Sequence, residues 1–124
     1  HLELSATWQR ATDRSGGPFD GNPLIFDPEW LGYLGLGWQS FAWRLGWEIT
    51  YTGENAIDPF DTPVLRLDER IVHDLVVGRD WPSGLRLSLD LRNVFDHRTV
   101  DVARYPLPDR VALIHVGWQE GGRR

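Results

Sequence analysis

Leu85, Leu87, Leu89 and Leu91 alternate with Arg86, Ser88, Asp90 and Arg92, so one side of this segment is pure leucine and the other polar or charged. Side chains point to opposite faces along a strand, whereas a helix would mix the two sets. The segment is therefore predicted to be a two-faced β-strand. Six runs of this kind appear, over residues 2–10, 30–39, 43–52, 67–79, 85–93 and 110–119. The first sets Leu2, Leu4, Ala6 and Trp8 against Glu3, Ser5, Thr7 and Gln9, and the second sets Leu34, Leu36 and Trp38 against Tyr33, Gly35, Gly37 and Gln39. In the third, Trp43, Leu45, Trp47, Ile49 and Tyr51 alternate with Arg44, Gly46, Glu48, Thr50 and Thr52. The fourth is less clearly sided, with Ile71, His73, Leu75 and Val77 opposite Val72, Asp74, Val76 and Gly78. The last aligns Ala112, Ile114, Val116 and Trp118.

The connections alternate between long and tight. Residues 11–29, 53–63 and 96–109 are long and broken by Gly16-Gly17-Pro18, Gly21-Asn22-Pro23, Asp58-Pro59 and Thr62-Pro63, while residues 40–42 and 81–84 are tight turns. Tight turns demand hairpins. The prediction is an all-β chain, a six-stranded antiparallel meander in which each strand pairs with its sequence neighbour. Two architectures accommodate leucine on one face and charge on the other: a soluble sheet over a core, or a membrane barrel with leucine facing lipid and charge facing a wet lumen. Loop length alternates for a physical reason only in the barrel, where outer loops elaborate and inner turns stay tight. The competing reading is a soluble β-sandwich acting as a carbohydrate-binding module with exposed Trp.

Residues 93–110 carry a more specific sign. Asn93-Val94-Phe95-Asp96, closing a leucine strand, precedes Tyr105, Pro106, Leu107, Pro108 and Arg110 and then a final alternating strand. This resembles the C-terminal end of a TonB-dependent outer-membrane receptor, in which Asn-Leu-Phe-Asp precedes a Gly-Tyr-Pro-Leu-Pro-Gly-Arg-like loop. Arg104 and Asp109 stand where glycines are usual. The resemblance implies that residues 1–124 are the C-terminal part of a larger transmembrane β-barrel, roughly of the 22-stranded type with a plugged lumen. The plug and the upstream strands would lie outside this segment. It further implies a place in the bacterial outer membrane and energised uptake of a scarce nutrient such as a ferric siderophore, a cobalamin or a glycan. The implied partners are the lipid bilayer, the receptor's own plug domain, TonB through the N-terminal part, and a small-molecule or metal-chelate substrate; the activity is transport, with no enzyme chemistry and no cofactor. A simple non-energised porin is the third reading. The family's closing strand ends in an aromatic residue, a position that Trp118 would fill ahead of residues 119–124.

Composition sharpens the picture in two places. Seven Trp in 124 residues is a high number, and indole favours a membrane interface, where its ring and its N–H are both satisfied. With tight turns on one side, Trp38, Trp43, Trp81 and Trp118 fall at one level, and Trp8, Trp30, Tyr33 and Tyr51 nearer the other, although alternation turns Tyr33 inward; Trp47 sits mid-strand. The net charge of −5 argues against nucleic acid as a partner. Absence of Cys excludes disulfides and thiolate metal sites.

No catalytic constellation is predicted, and no metal site. His1, His73, His97 and His115 are scattered, and the acids of the long loops (Asp13, Asp20 and Asp27; Asp58, Asp61, Asp68 and Glu69) lack calcium-loop spacing. The charged rows are more informative. An Arg facing lipid at the bilayer midplane costs about 2–4 kcal/mol, so Arg44, Glu48, Asp74, Arg86, Asp90 and Arg92 are expected to face the lumen or the plug. Trp30, Phe60 and Tyr105, in or beside long loops, are the candidates for ligand contact.

Overall fold

The computed structural model describes residues 1–98, 100–102, 105, 106 and 108–119. Its strands are β1 (Leu2–Trp8), β2 (Trp30–Ser40), β3 (Trp43–Thr52), β4 (Asn55–Ala56), β5 (Arg66–Leu67), β6 (Arg70–Asp80), β7 (Leu85–Arg92), β8 (Val100–Val102), β9 (Tyr105–Pro106) and β10 (Val111–Trp118), with one 3₁₀ turn at Pro63–Leu65. Six of them form a single antiparallel sheet in the order β1-β2-β3-β6-β7-β10. Each pairs with the next sheet strand along the chain, so the meander predicted from the alternation is the observed topology. The four short strands make two small ladders, β4 with β5 and β8 with β9, inside the long connections.

Register sorts the side chains. Leu2, Leu36, Trp47, Leu75, Leu91 and Ala112 lie opposite one another in one row across the whole sheet, and Trp38, Leu45, Val77, Leu89 and Ile114 in another. The opposite face carries Glu3, Gly35, Glu48 and Asp74 in one row and Gln39, Arg44, Gly78, Ser88 and His115 in another. A slip of one residue in any pair would interleave leucine with charge, and no sheet pair slips.

What covers the apolar face is the decisive point. Among the described residues the buried apolar side chains are Ala56 and Leu67 alone, and both belong to the β4–β5 ladder in a loop. On the sheet, Leu4 is 74% exposed, Ile114 71% and Val116 70%. A β-sandwich would hold a second sheet about 10 Å away with interdigitated side chains; among the described residues no second layer lies against these rows, and the sandwich reading is corrected accordingly. The strands are also long. Ten residues in β3 extend about 33 Å, and at a tilt of about 40° that spans about 25 Å, the height of the apolar band of an outer-membrane barrel.

Boundaries differ from the sequence reading by a single residue at the ends of β2, β7 and β10, and by more in two places. β1 ends at Trp8 rather than residue 10, and β6 runs from Arg70 to Asp80 rather than from 67 to 79. Leu67 is drawn away because it pairs with Asn55 in the β4–β5 ladder, which buries it. The tight turns are as expected. Phe41, at the tip of the β2–β3 turn, takes a φ of 48°, unusual for an aromatic residue.

At the β6–β7 turn, Gly84 has φ +90° and its N–H donates to the Trp81 carbonyl at 3.0 Å, while its carbonyl accepts from Gln119 N–H at 2.9 Å. A methyl group there would run into the Gln119 carbonyl. Gly84→Ala is expected to lower stability by about 1–3 kcal/mol through this left-handed strain and clash, read as a lower urea midpoint of the folded protein. An unchanged midpoint would mean that the turn is not held as described.

Candidate functional site

Two ends and two faces organise the candidate residues. At the tight-turn end of the polar face, Asp80 accepts a hydrogen bond from Arg44 Nη2 at 2.9 Å and lies 3.9 Å from Arg86 Nε. These groups are substantially exposed, so the pairs contribute little stability as they stand. Asp80 was missed in the sequence because the fourth run was closed at Arg79; extending the Asp74, Val76, Gly78 alternation by one step would have reached it.

In the middle of the same face Glu48 stands opposite Gly35 on one side and Asp74 on the other. Gly35 leaves room for the neighbouring Tyr33 ring, whose hydroxyl would lie 2.8 Å from any Cβ placed there. Arg92 and Asp90, neighbours on β7, approach to 3.6 Å. All six residues expected on the charged face, Arg44, Glu48, Asp74, Arg86, Asp90 and Arg92, thus share it by register. Toward the loop end, Asp74 and Arg92 line a groove of about 420 Å³ together with Thr50, Arg70, Asn93 and His97.

The Asn93–Asp96 segment is a structural lock. Asn93, 7% exposed, adopts a φ of 50°, a left-handed conformation that Asn tolerates better than most residues. Its backbone N–H donates to Asp74 Oδ1 at 2.8 Å, and its side-chain amide donates to the carbonyls of His97 and Pro108 while accepting from His97 N–H at 2.8 Å. Val94 N–H donates to the His73 carbonyl, and Asp96 Oδ1 accepts from Arg110 N–H at 3.0 Å. One short motif therefore fastens the end of β7 to β6 and to the chain just before β10. Phe95 folds onto the apolar face, where its ring meets His73 edge-on at 4.8 Å, and Trp47 stacks against His73 at 5.8 Å. This gives the mid-strand Trp47 a packing role.

At the loop end, Asp27, Glu29, Trp30, Tyr51, Glu54 and Arg66 contribute to a groove of about 300 Å³. Arg66 holds Asp61 through Nε at 3.0 Å and Nη2 at 2.6 Å, and Tyr51 Oη donates to Glu69 at 2.8 Å. Trp30 lines this groove and leans on Trp8, with ring centres 6.4 Å apart. Phe60 is not part of it. It packs edge-on against Phe19 at 4.9 Å, beside an Asn22 amide that donates to the Pro59 carbonyl, and so ties the first long loop to the second. Tyr105 contributes its backbone to the β8–β9 ladder; its side chain, like Arg104, Leu107 and residues 120–124, lies outside the described residues.

The loop acids serve turns. The Thr62 hydroxyl and backbone N–H both donate to Asp58 and hold its carboxyl below the usual range, and Ser15 does the same for Asp13. Among the described residues no group of three His, Cys, Asp or Glu converges on a point.

Asp96 too is held below the ordinary carboxylate range, first by the Arg110 backbone N–H and then by the charges of Arg98 and Arg110. A depressed folded pKa contributes stability that is present above the ordinary Asp value of about 3.9 and is lost as pH falls through the lower folded value. The wild-type advantage over Asp96→Ala in urea midpoint is therefore expected to be full at pH 7 and to shrink below about pH 4; an advantage independent of pH would remove the charge from the account. Asn93→Ala is expected to lower stability by about 2 kcal/mol, since it leaves buried backbone groups unmet, and to make the following loop sensitive to limited trypsin at Arg98.

Comparison with known proteins bears on the whole arrangement. The chain's fold matches the crystal structure of the ferric citrate transporter FecA in its unliganded form with a TM-score of 0.79 and 20% identity, covering 93% of this chain and 20% of that one. It also matches the ferric yersiniabactin uptake receptor FyuA from Yersinia pestis, with a TM-score of 0.68 and 15% identity, covering 92% of this chain and 18% of that one. The chain thus spans about one fifth of the length of either, and at these identities the likeness concerns the fold. Among curated proteins none matches the sequence. A family model described as TonB dependent receptor-like, beta-barrel matches residues 2–94. With three quarters of its length matched by that model, and a sheet of long two-faced strands without a second layer, the chain belongs to the TonB-dependent receptor β-barrel family.

Proposed function

We propose that this segment forms six wall strands in the C-terminal part of a bacterial outer-membrane receptor that takes up a scarce nutrient by energised transport, a ferric chelate being the foremost candidate and a cobalamin or a glycan the others. The observation that carries the reading is the uncovered apolar face. Side chains such as Leu4, Ile114 and Val116 need a solvent that is itself apolar, and the outer membrane, where barrels of this family sit, would supply one. The tight turns then face the periplasm and the three long connections face outward. The charged face becomes the lumen wall: Asp80 with Arg44 and Arg86 near its periplasmic rim, Glu48 and Asp74 midway, and Asp90 and Arg92 beside them are available to polar groups of a plug. An incoming ligand would meet the loop end, where the Trp30 groove and Phe60 are the contact candidates, together with Tyr105.

The test of transport uses the complete polypeptide that carries this segment, expressed in an outer membrane with and without TonB. Uptake of labelled ferric chelates, cobalamin and oligosaccharides is then compared. Uptake of one class that disappears without TonB is the expected result, whereas passive permeation by small solutes of every class, indifferent to TonB, would replace the receptor by a porin.

The orientation has its own test. Spin labels at Leu87 and Arg86, neighbours on opposite faces, are expected to differ severalfold in accessibility to oxygen dissolved in the bilayer, with Leu87 the more accessible. Equal accessibility would remove the lipid-facing assignment.

A further inference from the structure

Arg79 breaks the rule of the face it belongs to. By register it sits between Trp43 on β3 and Leu87 on β7, in the apolar set with Val77 and Leu89 rather than with the charges of the other face. It is exposed, one residue from the end of β6. Its guanidinium lies 4.9 Å from the ring centre of Trp43 and 4.9 Å from that of Trp81, so two indoles hold a cation by their negative faces.

Both contacts place a ring near the guanidinium carbon and supply none of its N–H groups with a hydrogen-bonding oxygen. The five N–H donors of Arg lie in the guanidinium plane, and among the described residues no acceptor meets them. Asp80, adjacent in sequence, points to the opposite side of the sheet, where it is taken by Arg44 and Arg86. The positive edge is thus open on the outer face at the tight-turn end. Directly beside it is an apolar groove of about 510 Å³ lined by Val77, Leu87, Leu89 and Ile114 together with the two indoles.

A planar cation with free in-plane donors matches a phosphate oxygen pair, and the adjoining apolar groove matches a hydrocarbon chain. A free phosphate would use only the first, and a neutral acylglycerol only the second. We propose that Arg79, clamped between Trp43 and Trp81, is a specific binding site for a phosphate-bearing lipid, with its headgroup phosphate on the guanidinium edge and an acyl chain in the groove. The site rests on the membrane reading above and adds to it a fixed lipid at the periplasmic rim, on the side of the wall away from any transported ligand.

The complete polypeptide, folded in detergent micelles, is titrated with phosphatidylglycerol, with diacylglycerol lacking the phosphate, and with inorganic phosphate, and bound lipid is counted by native mass spectrometry. The wild type is expected to retain one phosphatidylglycerol, with half-saturation shifted about tenfold upward in Arg79→Gln and by less in Arg79→Lys, which keeps the charge and loses the planar fork. Diacylglycerol should bind at least tenfold more weakly, and millimolar inorganic phosphate should not displace the lipid. Equal retention by the wild type and Arg79→Gln overturns the site, as does diacylglycerol binding as tightly as phosphatidylglycerol. Displacement by inorganic phosphate overturns the lipid assignment in favour of a simple anion site. Heat-modifiable gel mobility and insertion into liposomes separate the two levels: a wild type that refuses the bilayer sinks the membrane reading and this site with it, whereas an inserted Arg79→Gln protein with unchanged lipid retention sinks only the site.

Discussion

A single sheet must find something apolar for its leucine face and must leave no backbone amide inside that apolar medium without a partner. Both demands shape this chain. The meander satisfies the second by pairing every sheet strand with its neighbours at an unbroken register, and β1 and β10, the sheet's two outer strands, would find partners in further strands of a closed barrel. The first demand accounts for composition as well as shape. In the membrane reading proposed above, strand length follows the thickness to be crossed, every tryptophan but Trp47 falls near a strand end, and among the described residues of the sheet's apolar face the one arginine, Arg79, sits at the rim.

Within that frame the Asn93–Asp96 lock and the Asp80 cluster are complementary. Both lie where the sheet meets a connection, and both use carboxylates whose charge is met at once by an N–H or a guanidinium. Asp74 is the instructive member. It stands on the polar face as its alternation requires, yet its oxygen accepts from the Asn93 backbone, so a residue that reads as a lumen charge also holds the turn that ends β7. The acids of the long loops behave alike: Asp13 and Asp58 organise the turns that follow them.

The sheet was legible in the sequence because its period is two and its solvent is different on each side. Leu85, Leu87, Leu89 and Leu91 could be assigned without any neighbour, and Trp43 to Tyr51 likewise. Legibility failed where the signal has no period. The two-residue ladders β4–β5 and β8–β9 are too short to alternate, and they redirect Leu67, which the pattern alone had joined to β6. Asp80 and Arg79 were obscured for a related reason: both sit at the last positions of a strand, where turn and strand chemistry overlap. Among the ligand candidates, Trp30 and Phe60 separate into a groove and an inter-loop contact, a distinction of three-dimensional neighbourhood that spacing along the chain does not encode.

The alternation of tight and long connections also sets an order of events in assembly. Closing a loop costs entropy that grows with the logarithm of its length, so the β2–β3 hairpin across Phe41 and Ala42 and the β6–β7 hairpin across residues 81–84 have the shortest loops to close. Each carries an indole at its tip, Trp43 in one and Trp81 in the other, and Arg79 lies between these two rings. The two hairpins are therefore natural nuclei. Their joining through β3 and β6, which closes the connection over residues 53–69, brings the clamp together, and β1 and β10 join through connections of comparable length.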